Sequence, residues 1–285
     1  MENKDILFRL KSNLATAEHR FAVVKEQRKL YTAMLAEEIC RTDGSADTLF
    51  QAFLSATDEK SELTKALFCR TYAQLHPKDA ALRPEALFGL DETPPAGAHG
   101  KIAFVRNRYN ERAYERFSDS VVGAKPLHSS GFSEACDEVY NGNASYAILP
   151  IENSTSGRLF SFYAIMDRYE LKICAITEIE SDDGSENVRY ALVGRSAPRA
   201  FGKSAVCALE CSLTREDGSH LADLLQTASE LGATARKIDF LPLEYDYSFY
   251  RVFCTFQLSV TDAAAFGLYL LLSYPNYNPI GFYKL

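Results

Sequence analysis

No apolar run in this chain approaches the roughly 18 residues that a bilayer-spanning helix requires. The best candidate, "FGLYLLLSY", is too short, and the opening "MENKDILFRLKSN" is too charged for a secretory leader, so a cytoplasmic protein is expected. Positive charge is scarce as well. With 31 Lys and Arg against 38 Asp and Glu, the net charge is −7 and no basic stripe offsets it, which excludes a nucleic-acid partner. Cysteine pairs are missing: the seven cysteines are odd in number and scattered, with no C-x-x-C, which fits reduced thiols better than a disulfide frame or zinc site. The five histidines are isolated and lack metal-ligand spacing, so a metal site is not expected. Low-complexity segments are absent too.

At 285 residues, 47% of them hydrophobic, the chain can build two or three domains with their own cores. Leu7, Leu10, Leu14, Ala17, Phe21, Val24, Arg28, Tyr31 and Leu35 recur at steps of three and four, which predicts one helix over about 3–40. A seam this long must be buried against neighbours, and a helical dimer does so naturally. "RTDGSAD" breaks the helix and offers Ser45 or Asp47 as the next N-cap; a further helix stops at Pro77. The Pro/Gly-rich "LDETPPAGAHGK" (90–101) reads as a linker. Beyond it, short strands and helices alternate up to about residue 200, the pattern of an α/β unit. The last stretch runs β-α-β-β-α-β, which predicts a ferredoxin-like unit. The division is therefore 1–90 helical, 101–200 α/β and 201–285 ferredoxin-like.

The most distinctive motif is "AILPIENSTSG" (147–157), an apolar run ending in an acid, an amide and three hydroxyls. Pro150 is expected to end a strand, and Ser154, Thr155 or Ser156 to cap a helix starting near Gly157. Such a helix N-terminus would suit a carboxylate or phosphate, with Glu152 and Asn153 beside it to orient a hydroxyl or carry a proton. A well-capped turn without function is the bland alternative.

"GFSEACDEVYNGNASYAILPIENSTSGRLFSFYAIMDRYELKICAITEIE" resembles the prephenate dehydratase family, and "NVRYALVGR" is similar to its returning "N-x-T-R-F" strand. The helical start lies where bifunctional members carry a chorismate mutase, and the C-terminal unit resembles their phenylalanine-binding ACT domain. The resemblance implies one lobe of a two-lobed, periplasmic-binding-protein-like α/β domain. It assigns Glu152, Asn153, Ser154, Thr155 and Arg189 to catalysis, Ser156 and Gly157 to substrate binding and Arg28 to a substrate carboxylate; Arg106, outside the family pattern, is a further substrate-binding candidate that could hold an anion by charge. Gly218, Leu221, Asp239 and Pro242 fall at regulatory positions. The implied reaction converts prephenate to phenylpyruvate, water and CO2 without a cofactor, in a homodimer that meets prephenate and phenylalanine.

The chain also departs from that pattern. Only "SDDGSE" separates "KICAITEI" from "NVRYALVG", where the family inserts its second lobe, and this bend predicts a hairpin. Val188 stands in the place of the catalytic threonine and has no hydroxyl. "RNRYN" (106–110) replaces a glycine-rich loop, while Phe50 and Gln51 replace the mutase's Arg and Glu. Mutase activity is not expected. An eroded dehydratase and a non-catalytic binder of an aromatic amino acid or prephenate both fit.

Overall fold

The apolar seam from Leu7 to Leu35 lies on a single helix, α1 (Glu2–Cys40). The computed structural model describes residues 2–57, 61–91, 100–196, 205–216, 221–243 and 246–285, divided into two units, Met1–Pro77 and Lys78–Leu285. In the first unit α1 is followed by α2 (Ala46–Ala56) and α3 (Glu62–Leu75). Ser45, not Asp47, caps α2 by accepting from the Thr48 N–H, and Ser61 caps α3 through Thr64. These helices bury Phe50, Phe53, Phe68 and Tyr72 beneath the last turns of α1 at Ala36 and Cys40. The Phe50 ring lies 5.4 Å from that of Phe68, tilted by 56°, so this position serves the core. Upstream the seam is bare, with Leu14 60% and Phe21 71% exposed. Arg28, expected on a costly buried seam, is instead exposed.

The second unit opens with α4 (Pro84–Phe88) and continues as β1 (Lys101–Val105), α5 (Arg108–Ser118), β2 (Lys125–Ser129) and α6 (Phe132–Tyr140). Next come β3 (Tyr146–Asn153), β4 (Gly157–Arg158), α7 (Phe160–Arg168), β5 (Lys172–Glu180) and β6 (Asn187–Gly194). The chain ends with β7 (Val206–Glu216), α8 (Leu221–Glu230), β8 (Thr234–Leu243), β9 (Asp246–Ser259), α9 (Val260–Ser273) and β10 (Asn278–Lys284). Residues 92–99, most of the expected linker, and 197–204, around the expected boundary at 200, lie outside the described residues.

Among the described residues ten strands join one sheet, ordered β2-β1-β3-β6-β5-β10-β7-β9-β8, with β4 paired to β3. The β10-β7-β9-β8 half is antiparallel and ferredoxin-like in order, as its β-α-β-β-α-β sequence predicts. The two halves meet where β5 runs parallel to β10 at Ile173 and Gly281. A Cβ on Gly281 would lie 2.7 Å from the Ile173 carbonyl oxygen, so only glycine allows this approach. The expected hairpin is present: β5 and β6 pair from Lys172–Gly194 to Glu180–Asn187. Its acidic bend folds onto α5, with Arg108 2.5 Å from Asp182. β2 escaped the sequence pattern because "KPLHS" is a short, mostly exposed edge strand containing proline.

The sheet coils strongly. Although β4 belongs to the α/β half, Arg158 on it reaches Glu210 on β7, Asp239 on β8 and Thr255 on β9. One hydrophobic core, including Leu149, Ile151, Met166, Ile173, Phe253 and Tyr283, spans both halves.

Candidate functional site

The 147–157 motif folds differently from expectation. β3 runs through Pro150 to Asn153 and turns at once into β4, with Asn153 opposite Gly157. No helix N-terminus forms there: α7 begins at Phe160, its N-cap is Leu159, and no side chain caps it. Two local features explain the difference. The Asn153 side-chain oxygen accepts from the Thr155 and Ser156 N–H groups at 2.8 and 2.7 Å, closing an Asx-type turn. Gly157 then takes the left-handed backbone (φ +72°) that a three-residue hairpin loop requires. The amide of Asn153 is thereby occupied in holding its own turn. Ser154 is tied to β6, since its hydroxyl accepts from the Asn187 N–H at 3.0 Å. Thr155 and Ser156 are exposed at the tip.

Glu152 sits one step earlier, facing away from the tip. Arg189 donates to one carboxylate oxygen at 2.8 Å and Lys237, from β8, to the other at 2.5 Å. Burial favours the neutral acid, but these two cations outweigh it and hold Glu152 below the usual carboxylate range. The same set of charges continues inward. Lys237 lies 3.8 Å from Asp239, which accepts from Arg158 at 2.8 Å. Arg158 also donates to Glu210 at 2.9 Å, with side-chain exposures of only 2% and 1%. Glu210 further accepts from the Tyr283 and Tyr163 hydroxyls at 2.6 and 3.2 Å. Burial and then the Glu210 charge push both tyrosines well above their ordinary pKa. Three cations thus face three carboxylates, and the cluster carries no net charge to offer a substrate.

Val188 pairs in register with Asn153 and Ile179, a strand residue with no hydroxyl. Arg106, expected at a substrate carboxylate, is solvent-exposed and points to Glu111 at 3.3 Å. Arg28 lies in the first unit, on a groove shared with Tyr31, Thr57 and Thr64. Of the regulatory candidates, Leu221 opens α8, Pro242 is exposed on β8, Asp239 joins the charge cluster, and Gly218 lies outside the described residues. The structure therefore brings Glu152, Asn153, Ser154, Arg189 and Asp239 close to one another. Arg158, Glu210, Lys237, Tyr163 and Tyr283 were missed as members of this group. Their signal was available in part: Arg158 in "GRLFSFY" and Glu210 in "CALECSL" are lone charges in apolar segments, and each needs a buried partner.

All seven cysteines are buried, and none is in a disulfide. Burial raises the thiols of Cys40 and Cys207 to about 11 and those of Cys136 and Cys174 to about 12, which leaves them unreactive. Among the described residues, no group of three or more metal-ligating side chains occurs and no helix is long and apolar enough to cross a membrane.

Residues 106–183 match the model of the prephenate dehydratase family, "PDT: Prephenate dehydratase". A bifunctional chorismate mutase/prephenate dehydratase of Enterobacter agglomerans is 30% identical over 106 residues, 35% of this chain and 27% of that protein. The chain thus spans about a quarter of the length of that curated relative. Prephenate dehydratase from Streptococcus mutans superimposes with a TM-score of 0.53 at 21% identity, covering 65% of this chain and 97% of the other. GqqA, described as a novel type of quorum quenching acylase, gives 0.52 at 18% identity over 65% and 95%. Prephenate dehydratase from Arthrobacter aurescens, solved in complex with L-Phe, gives 0.50 at 14% identity over 65% and 90%. At these identities the structural likeness establishes the fold, the periplasmic-binding-protein-like α/β architecture of the dehydratases. Motif and fold thus point the same way: residues 106–183 match the prephenate dehydratase family, and the fold is that of the dehydratases.

Proposed function

We propose that this chain is a non-catalytic relative of the prephenate dehydratases that binds an aromatic amino acid or a prephenate-like anion. The observation that carries this reading is the double capture of Glu152 by Arg189 and Lys237. Dehydration with decarboxylation needs a group that gives a proton to the departing hydroxyl, and Glu152, Asn153 and Val188 do not offer one. Glu152 is held ionised, the Asn153 amide caps its turn, and Val188 has no proton to give. The hairpin bend at 181–186 stands where the family places a second lobe, which removes closure around a substrate. The enzymatic alternative, with Glu152, Asn153, Ser154, Thr155 and Arg189 as its machinery, requires Lys237 to release Glu152. In this reading the ferredoxin-like half acts as the regulatory, ACT-like part. Two chains pair through the bare face of α1, whose Leu7, Leu10, Leu14, Phe21 and Tyr31 are exposed in one copy.

Calorimetric titration with prephenate, phenylalanine and tyrosine tests the proposal. Saturable heat from at least one of them, with the ligand recovered unchanged, is expected. Conversion of prephenate during the titration, or no heat from all three, overturns it.

A further inference from the structure

A cleft of about 80 Å³ lies between α7 and the strands β8, β9 and β10, and Glu152 does not line it. That is room for roughly five to eight waters, at the volume one water occupies on this measure. Its walls are apolar: Phe160, Tyr163 and Met166 come from α7, and Leu241, Phe253 and Ile280 from the three strands. Its polar lining consists of Asp167, Lys172, Arg251 and Asn278. An apolar recess with a few convergent polar groups is the usual form of a small-molecule site.

These polar groups are arranged as a split pair of charges. Arg251 lies 3.2 Å from one oxygen of Asp167, and the Asn278 amide donates to the other at 3.0 Å. Arg251 is steadied by the Ser212 hydroxyl at 3.2 Å and by the Phe253 ring beneath it. Lys172 donates to the Pro279 carbonyl at 2.6 Å and lies 3.5 Å from the Asn278 side-chain oxygen, which fixes a second cation in the same lining. Asp167 is 47% and Arg251 32% exposed, so their mutual pairing is worth little and is easily exchanged for a ligand. A zwitterion supplies what this lining lacks, an anion for the two cations and a cation for Asp167.

We infer that this cleft binds one α-amino acid with an apolar side chain, its carboxylate on Arg251 and Lys172 and its ammonium on Asp167. The inference rests on the binding reading above and names a location for it. Leu221, Asp239 and Pro242 do not line this cleft, although Leu241, between the last two, does. The apolar side chain, aliphatic or a single ring, fills the recess while the charged head stays at the polar groups.

Calorimetry on the full chain with L-phenylalanine and L-leucine provides the test, using 3-phenylpropionate and phenethylamine as ligands lacking one head charge. Either loss should weaken binding about tenfold to a hundredfold, the value of a charge-assisted contact. Arg251→Gln should weaken L-phenylalanine and 3-phenylpropionate to a similar degree and leave phenethylamine unchanged; Asp167→Asn should do the reverse. The ligand comparison on the unaltered protein needs no variant to fold. Amino-acid binding that ignores both substitutions but vanishes in Leu221→Arg overturns the location and leaves the binding reading intact. Binding of prephenate without any amino acid also overturns it while sparing that reading.

Discussion

Arg158 and Glu210 hold each other at 2.9 Å in the interior, 52 positions apart in sequence and on opposite halves of the sheet. A charge removed from water is costly, and this pair is tolerated because its remaining hydrogen-bonding capacity is used: Asp239 and Thr255 take Arg158, while Tyr163 and Tyr283 serve Glu210. The pair links the β3–β4 hairpin to the ferredoxin-like strands and makes the two halves interdependent.

Breaking the pair on one side should therefore be far worse than replacing it. Arg158→Met should cost about 3–5 kcal/mol by leaving Glu210 buried and unmatched. Adding Glu210→Leu should recover most of that loss, because the apolar substitutes bury no charge. Urea unfolding of the two single variants and the double variant measures this coupling. Additive losses would contradict it.

Acid should weaken the fold through Glu152. Its carboxyl is held below the ordinary range by Lys237 and Arg189 against the cost of burial. A lowered folded value gives stability that is present above the unfolded pKa of about 4.3 and lost as pH falls through the folded value. The melting temperature should thus decline on acidification below about pH 4. Glu152→Gln should flatten that limb and cost about 1–3 kcal/mol at neutral pH by removing a charged acceptor. An unchanged pH profile would show that the two cations do not bear on this carboxyl.

Alkali reports on the buried tyrosines. Tyr163 and Tyr283 are pushed well above their ordinary value by burial and by Glu210, and burial raises Tyr146 and Tyr190 to about 12. Raised folded values give stability that is complete below the unfolded pKa of about 10 and lost as pH rises beyond it. Ultraviolet titration should show these four tyrosines ionising only as the protein unfolds. A single smooth titration with native circular dichroism would contradict the Glu210 cluster.

The bare α1 face predicts self-association. Sedimentation should give a dimer for the unaltered chain, and Leu10→Lys with Leu14→Lys should give a folded monomer. Both positions are 60% exposed in one copy, so the substitutions disturb no core. A monomeric native protein would remove α1 as the pairing surface.

Much of this architecture was legible in the sequence. The seam of α1, a cap for α2 at Ser45 or Asp47, the β5–β6 hairpin at Asp182–Gly184 and the β-α-β-β-α-β order are each signalled by residue type and local pattern. The 153–157 loop was not legible, because Ser and Thr after Asn can cap a helix or close a turn with nearly equal ease. Here the Asn153 side chain and the left-handed Gly157 decided for the turn. The partners of Glu152 were hidden for a different reason. Lys237 lies 85 residues away and arrives only because the sheet coils, a long-range property that no local pattern encodes.

The account stands or falls on whether Glu152 and its neighbours can still drive chemistry. Purified protein should be incubated with prephenate at neutral pH beside an active dehydratase, and phenylpyruvate followed over time, for the native chain and for Val188→Thr. The account predicts phenylpyruvate only in the control reaction, with the restored hydroxyl giving no rescue. Sustained, enzyme-proportional phenylpyruvate from the native chain, abolished by Glu152→Gln, would contradict it.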